Sequence, residues 1–501
     1  MKMKKIALTA LSLLTMTAST FALASCIDLG YYSGLIEDAN LEASSELTYV
    51  LNEDGASYSV KGGRQLKGAV TIPAAHEGKP VTAVAADGFH GCEKLTSVTL
   101  PDSITVINEY GFWGCDNLTK VTFPSKLTSI GRWAFESCVN LKSIDLPDSV
   151  TFIDDSAFGE CTGLKSVTIP ASVTQFGASV FSECKNLENV TLPEGLTTIG
   201  RYMLRSCENL TSISFPDSIT EIPDGLFRFC PKLTTVNLHD GITSIGEATF
   251  HGCTALTGIT LPDSVTSIGM EAFRGCTALT NITIPTGVTT IQKQTFAECT
   301  SLKTVTLGNG VKTIDEHAFE GCSALTALHL GNGIQSLHEN AFSDCAKLSF
   351  TKFKNGNYLG SADNPYALLM SVTDKTLTNY EIHPQTKIIA NRVFEDCKRL
   401  KSIALPEGLT SIGVSAFRYC ENLTSITLPS TLAQIDSMAF YDCKALTRVY
   451  YGGDNGSWNR ISIGYMNGEL TAATRYIYSE TQPTSAGKYW HCDENGTIVV
   501  W

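Results

Sequence analysis

Seventeen cysteines make thiol chemistry the first question that this 501-residue chain raises. Fifteen of them occupy one place in a repeating unit. Cys92, Cys115, Cys138, Cys161, Cys184, Cys207, Cys230, Cys253, Cys276, Cys299, Cys322 and Cys345 follow at steps of 23 residues, and Cys397, Cys420 and Cys443 resume the step after an interruption. Disulfides are the usual use of many cysteines in an exported chain. Stacked, in-register units would hold these side chains parallel and about 4.8 Å apart, whereas a disulfide needs Cβ atoms about 3.8 Å apart in a crossed geometry. Metal ligation would need CxxC pairs or grouped histidines. No CxxC occurs, and His317, His329 and His338 take different places in their units. The expectation is a reduced, buried column of small apolar thiols, with no metal and no cofactor; Cys492 has no evident partner.

Catalytic signatures are absent from the sequence: there is no GxSxG, HExxH, Walker loop or GxGxxG. Asp102, Asp148, Asp217 and Asp263 recur beside prolines as turn formers, so no enzyme is expected. Binding chemistry is better represented. Two residues before the cysteine, Arg205, Arg228, His251 and Arg274 occupy four consecutive units, with Tyr202 and Phe229 close by. Arg and aromatic residues suit interfaces, which makes these six the candidate ligand-binding set. The competing reading is a solvated, ion-paired face, with Asp224 four residues before Arg228, Glu247 four before His251 and Glu271 three before Arg274. A second candidate lies in the aromatic tail, where Trp458, Tyr476, Tyr478 and Trp490 could stack on sugar rings or cover the last core layer.

These side chains must be held by the repeat itself. In the unit from Cys253 to Gly275, apolar residues stand at Leu256, Ile259, Leu261, Val265, Ile268 and the Ala272-Phe273 pair. Ile259-Thr260-Leu261 alternates as a strand, Pro262-Asp263-Ser264 is turn chemistry, and the spacing from Phe273 through Cys276 to Leu279 fits a helical or 3₁₀ turn. Such a unit offers too few apolar side chains to fold alone; stacking must supply the core. The outward column Thr99, Thr122, Asp145, Thr168, Thr191, Ser214, Asn237, Thr260, Thr283 and Thr306 reads as an ordinary strand face. The architecture expected is a β-rich leucine-rich repeat solenoid, a parallel sheet plus short helical or 3₁₀ turns, with β-hairpin caps at both ends.

The cysteine, the L-x-x-[VI]-x-L-P core and the I-x-x-x-A-F ending resemble the BspA-like, Treponema-type leucine-rich repeats over roughly residues 45–480. The resemblance implies a bacterial surface protein, some relatives acting as adhesins for host matrix proteins or for other bacteria. It implies the fold and leaves the ligand open.

Residues 1–25 read as a lipoprotein signal peptide: Lys2, Lys4 and Lys5 precede an apolar run that ends in Leu23-Ala24-Ser25-Cys26. That ending resembles a lipobox, which makes Cys26 the expected lipidation site and places the chain, lipid-anchored, on the outer face of the bacterial membrane. Residues 26–45 are the tether and 46–91 an N-terminal cap with a degenerate repeat. Repeats run over 92–348, an irregular hairpin insertion and repeat over 349–396, further repeats over 397–449 and an aromatic C-terminal cap over 450–501. Losing three lysines and no acid with residues 1–25 moves the formal charge from −13 to −16, which disfavours nucleic acid as a partner. A surface or extracellular protein, or a glycan, is the expected partner of a monomer.

Overall fold

The computed structural model describes residues 46–338, 340–484 and 486–501. Cys26, the signal peptide and the tether fall outside them. Each layer crosses two parallel ladders and one ridge of turns. In the layer ending at Cys299, Asn281–Ile284 lies in the first ladder, with Ile282 and Ile284 buried and Asn281 and Thr283 exposed. The chain reverses after Pro285, closed by Val288 N–H donating to Pro285 C=O at 3.2 Å. Thr290–Ile291 then enters the second ladder, where Thr290 faces Thr313 and Ile291 faces Ile314 one layer on. The register step is therefore the 23-residue period of the sequence.

The third side departs from the expected helical or 3₁₀ turn. Its hydrogen bonds are single i→i+3 links, such as Cys276 N–H to Phe273 C=O at 3.1 Å and Leu279 N–H to Cys276 C=O at 3.0 Å. Within the repeats no helix forms among the described residues. The cause lies in the backbone. The residues five and one before each cysteine adopt positive φ, as at Glu271 (55°) and Gly275 (68°), and a left-handed residue ends any right-handed turn. The ridge bonds forward to the next layer instead: Phe273 N–H reaches Thr295 C=O at 2.9 Å and Gly275 N–H reaches Ala297 C=O at 2.8 Å.

One continuous core runs from Val60 to Leu470. Phenylalanines three before every cysteine but Cys207 stack nearly parallel between adjacent layers, for example Phe135 on Phe158 at 5.2 Å and 3°, and Phe296 on Phe319 at 5.3 Å and 9°. At the N-terminus Leu47–Leu51 pairs antiparallel with Tyr58–Gly62 around the Asn52–Gly55 turn, and Tyr58–Gly62 starts the second ladder. The insertion is a meander of Thr351–Phe353, Gly356–Leu359 and Leu368–Val372 that rejoins the second ladder at Ile388–Ile389. Tyr358 is buried within it and Tyr366 stacks on His383 at 3.7 Å, so its aromatic groups pack inward.

The tail contains more of the repeat than its sequence suggests. Gln434 faces Ser462 and Arg448 faces Thr474, at steps of 28 and 26 residues, so one further layer is present without the 23-residue spacing. Here the Asn467 amide satisfies the exposed layer end, accepting from Phe440 N–H at 2.9 Å and donating to Asp436 C=O at 2.9 Å. Tyr489–Cys492 and Ile498–Val500 close the first ladder as an antiparallel hairpin.

Candidate functional site

The cysteine column is scaffold. All fifteen side chains are free thiols, buried except for the half-buried Cys345, and Cys492 is free and exposed. From Cys115 on, each thiol that continues the column reaches a carbonyl 26 residues earlier, as Cys276 Sγ does to Phe250 O at 3.1 Å and Cys299 Sγ to Phe273 O at 3.1 Å. That bond needs the proton on sulfur. Burial pushes the Cys184, Cys230 and Cys299 thiols up to about 12, which keeps the proton in place. A cysteine fits because it is small and apolar yet carries one weak donor for a core carbonyl.

The ridge differs in every layer, and the six candidate residues lie along it. Tyr202 and Phe229 hold the two left-handed positions, at φ 57° and 60°. Each ring lies over a glycine of the next layer: a Cβ added at Gly225 would strike the Tyr202 ring, and one added at Gly252 would meet the Phe229 ring at 2.6 Å. Phe229 remains 41% exposed. The Arg228 guanidinium stands 5.0 Å from its centroid, and His251 lies 5.0 Å from it on the next layer.

Ion pairs form between layers more than within them. Arg205 binds Glu183 at 3.2 Å, and Arg274 binds Glu298 at 2.8 Å and Glu271 at 3.5 Å. His251 Nδ1 lies 3.2 Å from Glu271. Of the three pairs read from sequence spacing, only Glu271–Arg274 is present; Asp224 turns to Arg201 at 3.4 Å. Without a helical turn, residues four apart do not share a face, while residues of adjacent layers stand one strand spacing apart. Burial, with Arg228 and Arg274 nearby, pushes His251 below the ordinary histidine value against the pull of Glu271. Arg228 is the member of the stripe with no carboxylate within ion-pair distance, and its buried Nε has no hydrogen-bond partner. The site is thus an uncompensated guanidinium beside an exposed aromatic ring.

Sequence reasoning passed over two similar clusters on the same ridge. Arg132 covers the Trp133 ring at 3.9 Å, and Tyr110 stacks on the same ring at 4.8 Å. Arg418 lies 4.5 Å from Tyr419, itself one before a cysteine. The signal was available: each aromatic sits at one of the two left-handed columns. In the tail, Trp458 and Trp490 are buried; Arg475 covers Trp458 at 4.6 Å and Trp490 Nε1 donates to Tyr451 C=O at 3.0 Å. Tyr476 stacks on Tyr450 at 5.3 Å, which leaves Tyr478 as the exposed member of that set. His317 and His338 pair with Glu320 and Asp315, and the described residues contain no metal-binding group of three or more side chains.

Compared with known proteins, the sequence matches the family model described as BspA type leucine rich repeat region over residues 82–202, 151–279, 243–362 and 372–462. No curated protein matches it. Among solved structures, a leucine-rich repeat protein from Bacteroides ovatus is 27% identical; the match covers 82% of this chain and 99% of that one, with a TM-score of 0.61. A leucine rich cell surface protein from Faecalibacterium prausnitzii is also 27% identical, over 84% of this chain and 97% of that one, with a TM-score of 0.38.

Proposed function

Since the chain belongs to the BspA-type leucine-rich repeat family, we propose that it is a surface-displayed adhesion module that captures a protein partner along its turn ridge, centred on Arg228 and Phe229. The observation that carries this reading is the Arg228 guanidinium, unpaired and beside a 41% exposed phenylalanine. Arginine and aromatic anchors dominate interface energies when a partner desolvates them. An acidic side chain of a host matrix protein or of another bacterium's surface protein would complete the guanidinium. The chain's own charge of −13 repels acidic proteins elsewhere on its surface, so the stripe fixes where they dock. Cys26 is the proposed lipid anchor, and no helix among the described residues is long and apolar enough to cross a membrane.

The test is an array of matrix and bacterial surface proteins probed by biolayer interferometry with the wild-type chain and with Arg228→Glu/Phe229→Ser. A bound partner should lose affinity at least about tenfold in the variant, and wild-type binding should weaken with salt. Binding that ignores both changes removes the ridge as the docking face. Intact-mass analysis of membrane-extracted protein checks the anchor: acyl mass on a peptide beginning at Cys26 is expected, and an unmodified N-terminus refutes it.

A further inference from the structure

We propose that the junction between the Ile199 and Ile222 layers is a binding groove for a neutral saccharide, created by a local failure of the ladders. At most steps of the second ladder, the residue after the buried apolar one donates its N–H to the corresponding carbonyl one layer back. Gly131 does so to Ile107 at 2.8 Å, Gly177 to Ile153 at 2.9 Å, Gly246 to Ile222 at 2.8 Å and Gly269 to Ile245 at 2.8 Å. Pro223 holds that place in its layer and has no N–H. The Ile199 carbonyl therefore cannot receive its bond.

Packing reinforces the break. Met203-Leu204 stands where every other layer carries a phenylalanine, seven of the fifteen as Ala-Phe, and Leu226 again enlarges the first residue of the pair in the next layer. The phenylalanine stack ends at Phe181 and starts again at Phe227. Neither ladder crosses this junction: in the first ladder Asn189–Thr191 ends one sheet and Ser212–Ser214 begins the next, while the second ladder ends a layer earlier, at Gln175–Phe176, and resumes at Glu221–Ile222. The ridge stays closed, with Tyr202 N–H on Asp224 C=O at 2.9 Å and Ser206 N–H on Arg228 C=O at 2.8 Å. The layers are joined along the ridge and open on the second-ladder side, where a groove of about 360 Å³ results.

Its lining selects the ligand. Ile199 and Pro223 give a small apolar floor, Thr198 a hydroxyl, and Glu221 and the Arg201–Asp224 pair, 3.4 Å apart, a charged rim. The Ile199 N–H and C=O find no partner across the junction, so the wall offers donors and acceptors side by side. A polyol hydroxyl both donates and accepts, and it can satisfy such a wall at each position. A carboxylate or phosphate would meet Arg201 already paired, with Glu221 beside it. A peptide strand needs a longer free edge than the Thr198–Ile199 pair provides. The volume lies at the small end of ligand sites. None of these residues belongs to the Arg228–Phe229 pair, so the two readings fail separately.

Saturation-transfer NMR and calorimetry on the full chain, with maltose, cellobiose, chitobiose and N-acetyllactosamine as probes and sialyllactose as the acidic control, test the groove. At least one neutral probe should bind. Its affinity should fall at least about tenfold in Thr198→Trp, which fills the groove, and in Glu221→Ala, while Arg228→Glu leaves it unchanged. Pro223→Gly restores the donor; its new amide should be protected from hydrogen exchange and saccharide binding should fall. Thr198 and Glu221 are exposed, so their variants should keep the wild-type melting curve. No neutral probe binding, tighter binding of sialyllactose, or binding that survives Thr198→Trp overturns the proposal.

Discussion

The interior columns and the turn ridge are built from the same 23-residue layers and obey opposite rules. Inside, Phe273, Cys276 and Leu279 repeat their neighbours almost without change and are fully buried. On the ridge, the positions one and two before the cysteine change from layer to layer, while the backbone bonds that hold them do not. Stability is thus carried by what repeats, and the recognition proposed for the ridge by what varies. A substitution inside should alter folding and leave any ligand preference intact; one on the ridge should do the reverse.

The sharpest contrast is chemical access. Among residues 46–501, a thiol reagent should modify Cys492 at once, the half-buried Cys345 next, and the fourteen buried column thiols on the order of a thousandfold or more slower than Cys492. Fast modification of several thiols in the native protein would break the division. Next in size is Phe273→Ala, which should cost about 3–5 kcal/mol in urea unfolding, against less than about 0.5 kcal/mol for Arg228→Ala.

Glycines separate the regions too. An alanine Cβ at Gly200 would strike the Gly177 carbonyl, and Gly200→Ala should cost about 2–3 kcal/mol. At Gly258 an added Cβ meets nothing within 4 Å, and Gly258→Ala should gain about 0.4–1 kcal/mol.

A subtler probe is Glu136, whose carboxyl burial raises to about 7 although Trp113 Nε1 donates to it at 3.0 Å. Because the folded protein holds this proton more tightly than the unfolded chain, ionising Glu136 destabilises the fold as pH rises from 4.5 through about 7. Glu136→Gln should therefore raise stability at pH 8 by about 1–2 kcal/mol, discounted for its partial exposure, and by nothing at pH 4. A gain similar to that of Gly258→Ala, about 0.5–1 kcal/mol in melting experiments, is expected for Ala248→Gly, a left-handed residue at φ 51°.

Much of the fold was legible because the period is long-lived in sequence and each buried position recurs. The strand alternation at Asn281–Ile284, the N-terminal hairpin and the buried cysteines all follow from residue type and spacing. The ridge was harder to read. Its apolar spacing of three looked helical, and only scattered glycines, Gly91, Gly114, Gly225, Gly252, Gly275 and Gly321, hinted at left-handed backbone. A helical reading places the partner carboxylates three or four residues away, whereas the ridge places most of them one layer away. The tail's extra layer hid because it carries no cysteine and because the Asn467 side chain, rather than a backbone carbonyl, accepts the Phe440 N–H. Pro223 was visible throughout; its consequence needed the layer-to-layer register that names its missing partner.

The two left-handed columns carry a last consequence. Trp133, Ala248, Glu271 and Arg392 share φ values of 51–58° although they have little else in common. The bonds to adjacent layers dictate their backbone, so the side chain is a free variable. The ridge is a frame with interchangeable characters, constrained only where one layer touches the next, as the Tyr202 ring does over Gly225; a new binding preference needs no new fold.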